Sequence, residues 1–383
     1  MSTGRIRTSQ SCAADPRQAV QEFHAAVAQP DMALVVFFCS STYDLHVVAA
    51  EMRRLFAGTC VVGCTTAGEI GPTGYRQCSI SGASLPAADF VVASGLLDRL
   101  RNFEMARGQE FAAALLRQLE SRAPLADAHN SFGFLMIDGL SVREEPVTRS
   151  LQHGLSRIPV FGGSAGDGLR FSATHVYHDG RFHPDSAVLT LVHTALPFKI
   201  FKTQHFVSTD ERMVVTEADV DARIVREING LPAAEEYARL VGVDVDDLDP
   251  MRFAASPVVV LIDGMDYVRA IQKVNPDGSL TFYCAIEEGL VLRVARGVDL
   301  VENLEQAFAR VREEIGVPQA VFGCECILRN IEIHQCGLVE RVAAVLRANR
   351  TVGFNTYGEQ YLGVHVNQTF TGLAIGAAEN GDE

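Results

Sequence analysis

The chain contains no tryptophan and no run of about 18 consecutive apolar residues, the length a helix needs to cross a bilayer. Its start, MSTGRIRTSQ, has charge but no apolar stretch behind it, so no secretory signal is expected. Positive charge is scarce: 33 basic residues face 47 acidic ones, a net charge of −14. Such a surface repels phosphate, so neither nucleic acid nor a membrane is an expected partner. Paired cysteine spacing is missing too. The nine cysteines are an odd number, and most lie in apolar runs such as ALVVFFC (33–39) and LTFYCAI (280–286). They read as packed thiols of a reduced, cytoplasmic protein rather than a disulfide framework. What is present is ordinary globular material: 48% apolar and 21% charged residues over 383 positions, enough for two or three domains.

Comparing the chain with itself reveals a repeat. VGCTTAGE (62–69) returns as VGFNTYGE (352–359). Val62, Gly63, Thr66, Gly68 and Glu69 recur as Val352, Gly353, Thr356, Gly358 and Glu359, an offset of 290. A third copy, shorter by one residue, is FGGSAGD (161–167), which keeps Gly162, Gly166 and the acid as Asp167. An apolar run and a helical stretch precede each copy. In the first, Leu45, Val48, Ala49, Met52 and Leu55 share one helix face. Another β-rich run follows each copy. The unit is strand, helix, strand, Gly-acid turn, strand. Continuous apolar strands joined through helices favour parallel pairing with both sheet faces covered. The expected fold class is α/β, two-lobed, with repeated strand-helix-strand-strand units in mixed sheets. Ligands of open α/β sheets sit at the carboxyl ends of strands, which makes the Gly-acid turns candidate rims of a pocket. The plainer alternative is that the glycines turn the chain and the acids hold it.

Asp179-Gly180 and Asp277-Gly278, each between β-rich runs, predict hairpins. PAAEEYARLV (232–241) predicts a helix opened by proline, and VDVDDLDP (243–250) a solvated acidic loop without calcium-site spacing. The expected organisation is an N-terminal extension (1–30), a first lobe (31–220) with two repeat units, and a second lobe (221–383). The second lobe holds one unit and an inserted β-rich part.

Five segments in this order resemble the FIST family, a bacterial sensory module with paired N- and C-terminal FIST domains. They are VVGCTTAGEIGPTGY (61–75), VFGGSAGDG (160–168), DYVRAIQKVNPDGSLTFYCAIEEG (266–289), CECILRN (324–330), and VGFNTYGE with VNQTFTG (352–359, 366–372). The resemblance covers nearly the whole chain and implies a cytoplasmic small-molecule sensor. A stand-alone chain of this length also resembles the haem-binding, nitric-oxide-sensing branch, the NosP type. That narrower resemblance implies haem b held by a histidine, nitric oxide as the signal, and a partner sensor histidine kinase. No kinase, receiver or cyclase signature is present in the chain itself, so output would pass to a partner. Homo-oligomer formation is left open.

A haem iron needs an axial ligand and an apolar slot. PFKIFKTQHFVS (197–208) offers His205 as iron ligand, Phe201 and Phe206 as porphyrin walls, and Lys199 and Lys202 for the propionates. His193 is the second choice. The alternative is a buried strand with one hydrogen-bonded histidine. Cys324, Cys326, His334 and Cys336 could supply zinc ligands, but alternation in an apolar run reads as core packing. No G-x-S-x-G, Walker or H-E-x-x-H motif is present, so no enzyme is expected. The rival to the haem reading is a haem-free sensor of an amino acid or similar metabolite. In that reading Glu69, Asp167 and Glu359 would face an ammonium group.

Overall fold

A computed structural model describes residues 5–262 and 264–377. Three units of one design build most of it. The first runs through the strand Arg7–Ser11, helix Pro16–Val27, strand Met32–Ser40, helix Leu45–Leu55 and strand Cys60–Thr66. It closes with the hairpin Glu69–Gly71 and Gly74–Arg76, then the strand Ile80–Pro86. The second repeats this order from Phe90–Leu97 through Met105–Arg122, Ser131–Ile137, Glu144–Gly154 and Val160–Ser164. Its hairpin is Val176–His178 with Arg181–His183, and its last strand is Ala187–Thr194. The third comprises Phe198–Thr203, Leu300–Ile315, Ala320–Cys326, Val339–Ala348, Thr351–Thr356, the hairpin Glu359–Tyr361 with Val364–Val366, and Phe370–Ile375.

Local chemistry explains the punctuation. Asp15 accepts from the Gln18 N–H with Pro16 at the first helical position, and Asp299 does the same for Glu302. In every unit the two apolar strands around the second helix pair in parallel, and the last strand returns antiparallel beside them. The repeated Gly63, Gly162 and Gly353 sit against Phe37, Leu135 and Gly323 of the neighbouring strand. A Cβ at any of the three would run into that strand's carbonyl oxygen, so this position of the repeat needs glycine.

The units exchange hairpins in a closed ring. The hairpin of the second unit pairs with the strand Cys60–Thr66 of the first. The hairpin of the third pairs with Val160–Ser164 of the second, and that of the first with Thr351–Thr356 of the third. One apolar core fills the centre from all three units. In it Phe38 stacks on Phe354 and Phe134 on Phe161, each pair with ring centroids 4.6 Å apart. Each such fully buried ring contributes about 2–3 kcal/mol over an exposed one.

The second lobe, residues 206–297, is an insertion between the first strand and first helix of the third unit. Its long strand Phe206–Asp219 pairs with Val291–Gly297, and its own core gathers Met213, Tyr237, Phe253, Phe282 and Leu292. The insertion's two ends meet at His205, whose carbonyl accepts the Val298 N–H at 2.7 Å.

The fold is thus the expected mixed α/β, two-lobed architecture of repeated units. The division between lobes differs from the linear reading: the third unit joins the first two around one core, because exchanged hairpins tie all three together. Residues 7–27 are the opening strand and helix of the first unit rather than an appendage, and position 220 lies within the inserted lobe. Both Asp-Gly hairpins are present, with Asp179 and Gly180 at φ +47° and +77° and Gly278 at +79°. The apolar run 320–328 does not stay extended. It turns into a helix at Ile327, so Ile327–Gln335 is a helix that the run of apolar residues concealed.

Candidate functional site

The carboxyl ends of the first unit's parallel strands open into a cleft of about 510 Å³. Ser40, Ser41 and Thr42 form one wall, and Thr66 to Glu69 form the floor. Asp167 to Arg170 of the second unit and one face of the helix Ile327–Gln335 of the third close it. All three units therefore meet there. From that helix, Ile327, Asn330, Ile331 and His334 face the cleft at helical spacing. The strand ends turn here because Gly68, at φ +143°, takes a conformation that a side chain would strain.

The three repeated acids hold their turns. Glu69 accepts from the Thr66 hydroxyl, the Ser79 N–H at 3.1 Å and the Ser79 hydroxyl at 2.7 Å. Glu359 accepts the same set from Thr356 and Thr369, with the Thr369 N–H at 3.3 Å and its hydroxyl at 2.7 Å. Burial raises both carboxyls, to about 7 for Glu69 and about 8 for Glu359, against the pull of these donors. Asp167 behaves oppositely. Burial opposes its charge, but the Tyr357 hydroxyl, the N–H groups of Ala173 and Ser172 and the Ser172 hydroxyl hold it down at about 2. Glu69 and Asp167 come together in the cleft; Glu359 does not, since the inserted lobe covers its turn. All three side chains are thus engaged by internal donors, which is the structural role that the plainer sequence reading assigned to them.

Free hydrogen-bonding capacity in the cleft lies elsewhere. Asn330 is 8% exposed, and its Nδ2 finds no acceptor among the described residues. The main-chain carbonyl oxygen of Asn330 lies 2.8 Å from His334 Nδ1. A carbonyl can only accept, so Nδ1 carries the proton and neutral His334 keeps a lone pair on Nε2. Arg170 donates to Ser41 Oγ at 2.6 Å and to the Asp167 carbonyl at 3.0 Å, which pins the loop to the wall.

The opposite face of the same helix carries a buried ionic chain. Arg329 bonds Glu325 at 3.3 Å and His205 Nδ1 at 2.9 Å, and His205 Nε2 lies 2.9 Å from Glu332. Glu325 further accepts from Tyr75 at 2.6 Å and Asn355 at 3.1 Å. Burial lowers the His205 pKa, opposed by its bond to Glu332.

This placement bears directly on the haem expectation. Both ring nitrogens of His205 are engaged and its side chain is fully buried, so it offers an iron no open position. Phe206 packs on the His205 ring at 4.1 Å, while Phe201 sits in a different core against Phe308 and Phe370. Lys202 Nζ lies 4.5 Å from the Tyr267 ring centre, and Lys199 is paired with Glu314. His193 is bonded to Asn130 at 3.1 Å and Ser131 at 3.3 Å. The residues as arranged do not fit a haem. Cys324 and Cys326 are buried, and burial pushes both thiols well above their ordinary range. Among the described residues no three His, Cys, Asp or Glu side chains gather as a metal site. None of the described helices is long and apolar enough to cross a membrane.

Asn330 and the helix carrying it were missed in the sequence because only the apolar run 320–328 was read, as a strand, and the residues after it were left unassigned. The alternation of cleft-facing Ile327, Asn330, Ile331 and His334 with lobe-facing Arg329 and Glu332 was the available signal.

A family model for the FIST N domain matches residues 33–231, and one for the FIST C domain matches residues 233–362. The boundary between them falls inside the inserted lobe. Among curated proteins none matches the chain. A crystal structure of cyanuric acid hydrolase from A. caulinodans is similar over 98% of this chain and 99% of its own, at 9% identity and a TM-score of 0.37. The two family matches span most of the sequence: the chain belongs to the FIST family, whose FIST N and FIST C domains are sensory domains of signal transduction.

Proposed function

We propose that the chain senses a small polar metabolite, an amino acid or similar carboxylate, in the cleft where the three units meet, and that it acts without catalysing a reaction. The observation that carries this reading is Asn330, a residue lining the cleft whose buried amide donor has no partner among the described residues. Leaving such a donor unpaired costs about 1–3 kcal/mol. A ligand oxygen would recover that cost, which favours a carboxylate or amide group at this point. The repeated acids build the rim, and the ligand's acceptor meets Asn330 rather than its ammonium meeting the acids.

Transmission follows from the helix Ile327–Gln335. One face reads the cleft, and the other holds His205 at the neck of the inserted lobe through Arg329 and Glu332. A ligand that shifts this helix shifts the lobe. Interfaces of this kind have discrete arrangements, since buried ion pairs do not stretch gradually. The output passes to a separate protein, a sensor histidine kinase being the partner the family resemblance implies, in the cytoplasm.

A thermal-shift screen of amino acids and small carboxylates tests the reading. A true ligand at 100 times its Kd adds about 2.7 kcal/mol of stability, and Asn330→Leu abolishes that gain. A screen in which no carboxylate raises the Tm, or in which the gain survives in Asn330→Leu, overturns it. The rival reading, haem b with nitric oxide as signal, is decided separately by reconstitution with haem. A stoichiometric Soret band that shifts with nitric oxide would replace the metabolite reading, and His205→Ala would then test the ligand.

A further inference from the structure

A chain of net charge −14 repels anions as a whole, so a polar cavity free of carboxylates stands out in it. One of about 370 Å³ lies where the second unit's hairpin crosses the helix Leu45–Leu55 of the first unit, and none of the residues lining it is acidic. His46, Ala49 and Arg53 line it from the helix at helical spacing, and His175 and Arg181 line it from the hairpin side. The acids of both elements are engaged elsewhere. Asp44 caps the helix, accepting the His46 N–H at 2.9 Å and the Val47 N–H at 3.2 Å. Glu51 pairs with Arg54 at 2.6 Å and with Arg17 at 3.5 Å. Around the hairpin, Asp179 lies 3.3 Å from His178, and Asp185 accepts the Arg101 N–H at 2.9 Å. Arg53 and Arg181 are thereby left without an acidic partner among the described residues. The stem of Arg53 is nonetheless seated. It lies across the hairpin turn, where Gly180 has φ +77° and a Cβ would come within 2.9 Å of Arg53 Cδ. The buried Nδ1 of His175 also has no partner among the described residues.

We propose that this cavity binds a small organic phosphomonoester, its phosphate met by Arg53 and Arg181 and its body resting on Leu45, Phe182 and Pro184. Charge decides the class of ligand. Two unpaired guanidiniums match a phosphomonoester, which carries roughly −1.5 to −2 near neutrality, better than a carboxylate with its single charge. Each guanidinium presents a planar fork of N–H donors that fits two phosphate oxygens. The apolar wall gives an organic ester an advantage over inorganic phosphate, because it buries the ester's carbon body. A ligand here touches the helix of one unit and the hairpin of the next, so it ties the two together. The cavity shares no lining residue with the cleft, and the proposal is independent of the metabolite reading above.

Titration calorimetry of the full-length protein with phenyl phosphate, near neutral pH and in physiological salt, tests the proposal. One saturable site is expected, about tenfold or more tighter than for benzoate. Arg53→Ala and Arg181→Ala should each weaken it about tenfold, the worth of one charge-assisted hydrogen bond. Both side chains are exposed, so the variants keep the fold, which an unchanged Tm verifies. Arg54→Ala removes the same charge one position along, from a side chain already paired with Glu51, and should leave the affinity unchanged. No saturable binding of phenyl phosphate, or binding that survives both substitutions, overturns the site. An equal loss in Arg54→Ala overturns it as well, since overall charge would then explain the affinity. Benzoate binding as tightly overturns the phosphate class, and inorganic phosphate binding as tightly overturns the role of the apolar wall.

Discussion

The Gly-acid turn of the first unit and that of the third have the same chemistry and opposite surroundings. Thr66, Glu69 and Ser79 correspond to Thr356, Glu359 and Thr369, and the two carboxylates take the same three donors. Even the backbone agrees, with Cys78 at φ +57° and Gln368 at +51°. Yet Gln77 and Cys78 are exposed, whereas Asn367 and Gln368 are fully buried. Two differences account for this. Ala67 leaves room where Tyr357 fills it, and the inserted lobe reaches over the turn of the third unit, where Gln368 donates to the Ala254 carbonyl at 2.9 Å. A repeated motif thus becomes a cleft or a core according to one side chain and what packs over it.

Filling and emptying that position should have the largest effect. Tyr357→Ala removes a ring packed against Phe171 and a hydroxyl bonded to Asp167, and is expected to cost about 3–5 kcal/mol in denaturant unfolding. Ala67→Tyr should cost less, about 1–3 kcal/mol, while closing the cleft to any ligand. Equal costs for the two would break the comparison.

The acids come next. Glu359→Ala strands a threonine hydroxyl, an N–H and a second hydroxyl in a sealed core, and is expected to cost about 3 kcal/mol. Glu69→Ala should cost roughly 1–2 kcal/mol, because water in the cleft can reach Thr66. Urea unfolding of both variants ranks them, and a greater loss at Glu69 would show that the turns are not covered as described.

The pH dependence sharpens this further. Glu69 and Glu359 bind a proton more tightly folded than unfolded, so the stability they contribute is complete below their ordinary value of 4.5. It is lost as pH rises, through about 7 for Glu69 and about 8 for Glu359. Glu359→Gln should therefore flatten the fall in Tm up to a higher pH than Glu69→Gln does. Asp167 has the opposite sign: its stability is present above its ordinary 3.8 and lost as pH falls through about 2. Asp167→Asn should flatten only the acid limb of the same Tm profile.

The smallest stability effect is expected at the residue that the proposed ligand would meet. Asn330→Leu removes a buried amide donor that has no acceptor among the described residues, so unliganded stability should change by no more than about 1 kcal/mol. A loss above about 2 kcal/mol in calorimetry would give Asn330 a structural role instead.

Much of this was legible in the chain. The offset between VGCTTAGE and VGFNTYGE exposed the repeat, because glycine at a close strand contact and an acid locking a turn tolerate few alternatives. Positive-φ glycine likewise made the hairpin at Asp179-Gly180 readable. The His205 assignment rested on a histidine among aromatic residues, and neighbours in sequence could not show that Arg329 and Glu332, more than 120 positions away, occupy both its nitrogens. The helix Ile327–Gln335 was hidden because short apolar runs suit a strand and a buried helix equally.

By itself, then, the sequence determined the repeating unit, the α/β class and the family, since these depend on periodicity and on residues a few positions apart. Only the tertiary structure decided that three units close into one ring, that the 206–297 insertion covers one of two equivalent turns, and that Asn330 faces a cleft. Those outcomes depend on which surfaces meet across hundreds of residues, and local pattern carries no record of what packs against it.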